Sequence, residues 1–342
     1  MSQLRVLCDL CGSKFIYFGS SLYPHENPSL ELNDRALKTP PDECDSWQQL
    51  YPFTGHWCEV AGGRMHYLDE GPENAEQTLL FVHGNPTWSF HWRRLIEANR
   101  DSYRCIAPDH IGCGLSDLQK RPLRLADHIQ NLSELVRNLD LCRVTLVAQD
   151  WGGAIGLGTL LKERDLFERI VLFNTGAFRP WFIPWRIRVC RWPLFGKLAL
   201  QGGNAFSLAS LRMTLSRTTR LDPAVAEAYL APYNSWTRRA AVHQFVKDIP
   251  LSASHPTWDT LGEIEDALPS LAGLPQLLIW GMQDWCFTPE CLEKFCQVWP
   301  KAEVHRLADV GHWVVEDAPE ESQRFLADFL ARTAEAATGA NR

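Results

Sequence analysis

The run Val144-Thr-Leu-Val-Ala-Gln-Asp-Trp-Gly-Gly153 admits few folds. Val144 to Ala148 is an unbroken apolar stretch of the kind a fully buried strand requires, and Gly152-Gly-Ala-Ile-Gly-Leu-Gly158 opens a helix. Asp150 therefore falls on a sharp strand-to-helix turn, a nucleophile elbow. Ala148 and Gly152 flank it because such a turn crowds the backbone and pushes the central side chain outward. A carboxylate there can displace a leaving group from a saturated carbon and be left as an alkyl ester. The plain alternative is an acidic helix N-cap.

Strands and helices alternate along most of the chain. A hairpin is expected over 57–68, turning at Gly62-Gly63, and buried strands over 78–82, 105–107, 144–148, 170–173, 276–280 and 303–306. Helical spacing marks 92–98, 126–139, 152–162, 289–298 and 319–330. This alternation builds a mostly parallel sheet with helices on both faces, with its site at the carboxyl ends of the strands. From 175 to 272 the strand pattern stops for longer than any loop of a compact domain, which reads as an inserted helical cap. The expected division is an N-terminal extension over 1–50, a core over 51–174 and 273–332, the cap over 175–272, and a polar tail over 333–342.

Composition narrows the partners. With 45% apolar and 22% charged residues in 342, the chain is neither disordered nor fibrous. Its net charge of −7 argues against nucleic acid or an anionic membrane as partner. Eleven scattered cysteines without framework spacing favour a reducing cytoplasm. Cys8-Asp-Leu-Cys11 lacks two further ligands, so no metal is expected. Nor is a cofactor expected, since the glycine-rich turn Pro108-Asp-His-Ile-Gly-Cys-Gly114 lacks the lysine of a phosphate loop. The apolar residues near Phe15 to Tyr23 are broken by Gly19, Ser20 and Ser21, so no signal peptide or transmembrane segment is expected. Fourteen tryptophans suit a dry pocket for a hydrophobic small molecule, although most belong in the core.

An elbow of this kind is followed in the chain by an acid and then a histidine. Asp284 follows one late strand, and Asp309-Val-Gly-His312 follows the next. A neutral imidazole at His312 can take a proton from water, and a carboxylate on its other nitrogen fixes the tautomer. Asp309 competes for that place but lies in the histidine loop itself, so Asp284 is preferred. Val82-His83-Gly84-Asn85-Pro86-Thr87-Trp88 supplies the opposite wall, where backbone amides and the Asn85 side chain can meet a developing anion. His83 is expected to hold this loop. Trp151 either aims its indole N–H at a departing anion or packs the helix onto the cap.

Four motifs resemble the α/β-hydrolase family and its haloalkane-dehalogenase-like branch: His83-Gly-Asn-Pro-Thr-Trp88, Pro108-Asp-His-Ile-Gly-Cys-Gly-Leu-Ser-Asp117, Gln149-Asp-Trp-Gly-Gly153 and Gly311-His-Trp313. The cap segments Phe173-Asn-Thr-Gly-Ala-Phe178, Asn204-Ala-Phe206, Tyr229-Leu-Ala-Pro-Tyr-Asn-Ser-Trp236 and Phe245-Val-Lys-Asp-Ile-Pro-Leu251 resemble olefin-pathway β-lactone decarboxylases. The resemblance implies Asp150 as nucleophile, His312 as base, Asp284 as its acid partner, and Asn85 with Trp151 as leaving-group donors. It also implies an α/β-hydrolase fold and neighbours in a biosynthetic pathway. Another dehalogenase group takes its acid from the end of the sixth strand, where this chain has Asn174, an amide without charge.

Three reactions remain open. Decarboxylation of a cis-dialkyl β-lactone to an alkene ranks first, on the cap segments. Hydrolytic dehalogenation of a haloalkane uses the same residues. An epoxide hydrolase needs an acid from the cap, where only Tyr229 and Tyr233 stand, and four-residue spacing is also that of one packed helix face. A non-catalytic binding protein on this fold is the remaining alternative, set against the presence of the whole triad.

Overall fold

The computed structural model describes residues 47–339 apart from 73, 193, 195 and 217–219. Cys8, Cys11 and nearly all of the expected extension lie outside the described residues. Trp47 packs edge-on against Trp88 with ring centroids 5.9 Å apart, so the packed chain begins before Tyr51. Among the described residues no helix is long and apolar enough to cross a membrane.

Eight strands form one sheet in the order β1-β2-β4-β3-β5-β6-β7-β8. They are β1 Gly55–Val60, β2 Gly63–Glu70, β3 Thr78–Val82, β4 Arg104–Pro108, β5 Val144–Asp150, β6 Phe167–Thr175, β7 Gln276–Gly281 and β8 Glu303–Leu307. The first two form the expected hairpin, and β2 joins β4 antiparallel; every pairing from β4 onward is parallel. β3 and β7 are buried along their whole length, as strands covered on both faces must be.

The two faces have separate cores. Leu146 and Ala148 of β5 point to one side, where Ile129, Leu132, Leu157 and Leu160 join them from α2 (Leu125–Asn138) and α3 (Trp151–Lys162). Val147 points to the other, against Leu95 and Ile96 of α1 (Arg93–Asn99). This alternation is the two-residue period of a strand, used in both directions.

Between β6 and β7 the chain forms α4 (Trp185–Cys190), a π-helical turn (Lys197–Gly202), α5 (Ala205–Met213), α6 (Pro223–Leu230), α7 (Ala240–Asp248) and α8 (Pro256–Ala267). Leu261 and Ile264 of α8 share the buried cluster of Ile129 and Leu157, so this helix packs on α2 and α3 although its sequence falls within the stretch read as cap. Helical period alone cannot distinguish the two placements. After β7 come α9 (Pro289–Val298), α10 (Val314–Asp317) and α11 (Pro319–Gly339), and Leu326, Phe329 and Leu330 of α11 close the second face. α11 runs past the expected boundary at 332, in keeping with the helix-favouring Ala331, Ala334, Ala336 and Ala337.

Candidate active site

Asp150 ends β5 with φ 55° and ψ −131°, a conformation that costs a non-glycine residue on the order of 1–3 kcal/mol. Its neighbours hold it there. A Cβ on Gly152 would lie 2.1 Å from the Val82 carbonyl oxygen, and one on Gly153 would lie 2.0 Å from the Thr175 hydroxyl. That hydroxyl donates to the Asp150 carbonyl at 2.5 Å. Gly84 passes so close that a Cβ would lie 2.2 Å from Oδ1 of Asp150. Although Asp150 occupies the N-cap position of α3, its carboxylate makes no capping bond.

The carboxylate instead faces a preformed set of partners. Oδ1 accepts the Asn85 backbone N–H at 2.7 Å, and the Trp151 backbone N–H acts on the same group. Oδ2 lies 3.6 Å from Nε2 of His312, whose Nδ1 is 2.7 Å from Oδ2 of Asp284. Asp284 is buried and accepts the Cys286 backbone N–H at 2.7 Å on its other oxygen. Asp309 is exposed, and the acid on the imidazole is Asp284.

Burial raises the Asp150 pKa, while His312 and the Asn85 and Trp151 amides hold the rise in check. Burial also disfavours a charged His312, but Asp284 first and Asp150 second outweigh it and leave the imidazole pKa raised. The pair thus favours opposite charges side by side.

Asn85 is buried, and its side-chain N–H₂ donates to the Val242 carbonyl of α7 at 3.2 Å, leaving a second N–H. The Trp151 ring packs at 5.5 Å against Phe245 of the same helix, and among the described residues its indole N–H has no partner. Both expected roles of Trp151 are therefore compatible. His83 holds its loop through Gly84 O at 2.7 Å and the His110 backbone N–H at 3.0 Å. In the glycine-rich turn, Asp109 is buried against His66 at 2.9 Å and the Ser89 N–H at 2.7 Å, a scaffold arrangement. Asn174 bridges to both backbone groups of Gly281. The two tyrosines expected in the cap are committed inside the protein, Tyr233 to the Thr87 carbonyl and Tyr229 to Glu316. Among the described residues no three His, Cys, Asp or Glu side chains are grouped as metal ligands would be.

One arrangement escaped the sequence reading. Gln149 donates from its side chain to the His312 backbone carbonyl and meets His91 Nε2 at 2.6 Å. His91 continues to the Tyr229 hydroxyl at 2.8 Å, which reaches Glu316 at 2.6 Å, and Glu316 pairs with Arg93. The residues belong to distant segments with no shared local pattern; a glutamine buried beside the elbow was the one available signal.

Residues 77–319 match the family model described as alpha/beta hydrolase fold. The chain is 37% identical over 301 residues to a cis-3-alkyl-4-alkyloxetan-2-one decarboxylase of Shewanella oneidensis, covering 85% of this chain and 93% of that protein. It is 34% identical over 285 residues to haloalkane dehalogenase 2 of Mycobacterium bovis, covering 80% and 93%. The crystal structure of haloalkane dehalogenase DbeA from Bradyrhizobium elkani superposes with a TM-score of 0.76 at 27% identity, covering 83% of this chain and 99% of that one. The chain belongs to the alpha/beta hydrolase family, as an α/β-hydrolase-fold enzyme related to these decarboxylases and dehalogenases.

Proposed function

We propose that the protein converts a cis-dialkyl β-lactone to an alkene and carbon dioxide, with Asp150 as covalent nucleophile. The observation that carries the reading is the division of labour in one carboxylate: Oδ1 is fixed by the Asn85 N–H at 2.7 Å, while Oδ2 faces His312 at 3.6 Å. The choice of substrate rests on 37% identity to a named oxetanone decarboxylase across 85% of the chain. The fold and the carboxylate nucleophile would serve a dehalogenase equally well.

Oδ2 attacks the saturated ring carbon that bears the lactone oxygen. That C–O bond breaks, and the ring oxygen leaves as part of a new carboxylate, met by the Asn85 side chain and the Trp151 indole. The carbon–carbon bond to this carboxylate then breaks, and its electron pair forms the alkene as the ester C–O bond to Asp150 breaks. Carbon dioxide leaves and the Asp150 carboxylate is restored. The backbone amides on Oδ1 and a charged His312 stabilise the returning anion, and no water is consumed. Dehalogenation begins with the same attack, halide leaving toward the same donors. It diverges when neutral His312 activates water and the ester is hydrolysed to an alcohol. We take the segment between β6 and α8 as the cap over a hydrophobic substrate, and a reducing cytoplasm as the setting.

Wild-type protein and Asp150→Ala are incubated separately with a long-chain cis-β-lactone and a 1-haloalkane, and products and intact mass are recorded. Alkene from the lactone, abolished in the variant, is the expected outcome. Halide and alcohol from the haloalkane, with no alkene from the lactone, would replace this reading with the dehalogenase.

A further inference from the structure

The total charge of −7 conceals a marked asymmetry. Residues 176–255 hold eleven Arg and Lys against three Asp and Glu, a net of +8, so the remainder of the chain carries −15. Within that stretch, residues 179–198 contain Arg179, Arg186, Arg188, Arg191 and Lys197 and no acid. A whole-chain total argues against an anionic partner only because it averages these regions.

The same segment concentrates exposed apolar surface. Six of the twelve exposed large hydrophobic side chains among the described residues lie between 181 and 198. Trp181, Phe182, Trp185 and Trp192 are each at least 50% exposed, and Leu194 is 77% exposed. Single exposed apolar residues are ordinary, but indoles in this number on one short segment mark a surface that something covers.

The cations around them are available. Arg179 is matched by Glu265 and Asp266, but Arg186, Arg188 and Lys197 have no carboxylate partner among the described residues. The Arg186 guanidinium lies over the Trp185 and Trp285 rings, and the Lys197 ammonium over Trp236. Beneath this surface Ile183 and Ile187 are buried with Leu200 and Val246, and Trp285, next to Asp284, packs against them. The exposed segment is thus anchored directly on the loop that carries the acid of the triad.

We propose that this face docks the protein on an anionic lipid bilayer, with Trp181, Trp185 and Trp192 in the headgroup layer and Arg186, Arg188 and Lys197 against lipid phosphates. Indole rings favour the membrane interface because one edge is polar and the body apolar, and nearby basic side chains add attraction to negative lipids. The −15 elsewhere is repelled by the same surface, so the approach has a single orientation. A protein interface would draw on the same residue types but is ringed by polar groups of both signs. Here acids meet the segment at Arg179 alone, through Glu265 and Asp266, and Arg186, Arg188 and Lys197 are left uncompensated among the described residues, the pattern an anionic bilayer selects. The inference holds whichever small molecule the active site takes.

The test is cosedimentation of the full chain with phosphatidylcholine vesicles, with and without phosphatidylglycerol. Binding to the phosphatidylglycerol vesicles should exceed binding to phosphatidylcholine alone by about tenfold or more at low ionic strength and fall as salt is added. The pair Arg188→Glu with Lys197→Glu, and separately Trp185→Ser with Trp192→Ser, should each lower it about tenfold while thermal unfolding and circular dichroism stay unchanged. Equal binding to both vesicles, no binding to either, or undiminished binding by both variants would overturn the proposal. Concentration-dependent self-association without vesicle binding, lost in the tryptophan variant, would also overturn it, assigning the face to a second copy of the chain.

Discussion

The side-chain amide of Gln149 donates to the backbone carbonyl of His312, joining the elbow to the histidine loop independently of the carboxylate–imidazole contact. A carbonyl can only accept, so Gln149 turns its N–H₂ there and its Oε1 toward His91, which makes Nε2 of His91 the protonated nitrogen. Gln149→Leu leaves the buried His91 Nε2–H without a partner, at a cost of about 1–3 kcal/mol, and the His312 carbonyl with only the Val314 N–H at 3.0 Å. Denaturant titration should show that loss. With His312 less firmly placed, kcat should fall about tenfold or more with KM little changed; an unaltered kcat would show that Asp284 alone suffices to hold the imidazole.

Asp284→Asn keeps the shape of the acid and removes its charge. The 2.7 Å contact to His312 Nδ1 then no longer fixes the tautomer or stabilises the imidazolium, and kcat should fall by about 10²–10⁴. Because Asp284 raises the His312 pKa more than Asp150 does, the variant's imidazole should titrate at lower pH. NMR of the His312 ring checks this directly, and a pKa that does not move would remove Asp284 from the role.

The two candidate reactions should differ in pH dependence. Asp150 must be ionised to attack, and burial raises its pKa, so kcat/KM for either substrate should fall on the acid side at a higher pH than an ordinary aspartate would give. Haloalkane hydrolysis also needs neutral His312, whose pKa is raised, so turnover of the ester should show a second limb at higher pH. Forming the ester removes the Asp150 charge and thereby favours the neutral imidazole. Lactone decarboxylation has no water-activating step and is served by the charged imidazole, so its turnover should instead fall as pH rises through the His312 pKa. Parallel pH profiles with the two substrates make the comparison.

Acid should destabilise the fold before it protonates most carboxylates. His83, His91, His110 and His128 are buried, and burial lowers each pKa, to about 4 for His91 and about 3 for His128. These groups are held neutral in the folded chain but accept protons near pH 6.5 when unfolded. Stability is therefore fully present above that pH and is lost as pH falls toward the folded pKa values, at up to about 1.4 kcal/mol per pH unit for each histidine. Denaturant titrations at pH 7 and pH 5 should differ by several kcal/mol; equal midpoints would mean these rings already take up protons in the folded state.

The fold was legible because its signals are local: apolar runs for β3, β5 and β7, and glycines where Gly84 passes the Asp150 side chain and Gly152 meets the Val82 carbonyl. Asp150, Asp284 and His312 were legible as residues at strand ends in a fixed chain order. The links that join them were not. Gln149 and His91 are 58 residues apart, and Tyr229 and Glu316 are 87 apart, so nothing in either neighbourhood announces the partner. The packing of α8 on α2 and α3 was not legible for a related reason, since an apolar stripe shows that a helix is covered and not by what. The basic stretch over 176–255 was hidden by averaging, in a chain whose total is −7.

The strained backbone of Asp150 is secured entirely by its surroundings: Thr175 on its carbonyl, Gly84 beside it, and Gly152 and Gly153 beneath. Apart from Gly84, which passes against the Asp150 side chain itself, none of these contacts depends on which side chain projects from the turn. A serine exchanged into that seat would inherit the same presentation toward His312, so the chemistry of the scaffold is separable from its architecture and could be rewritten by one codon without refolding the frame.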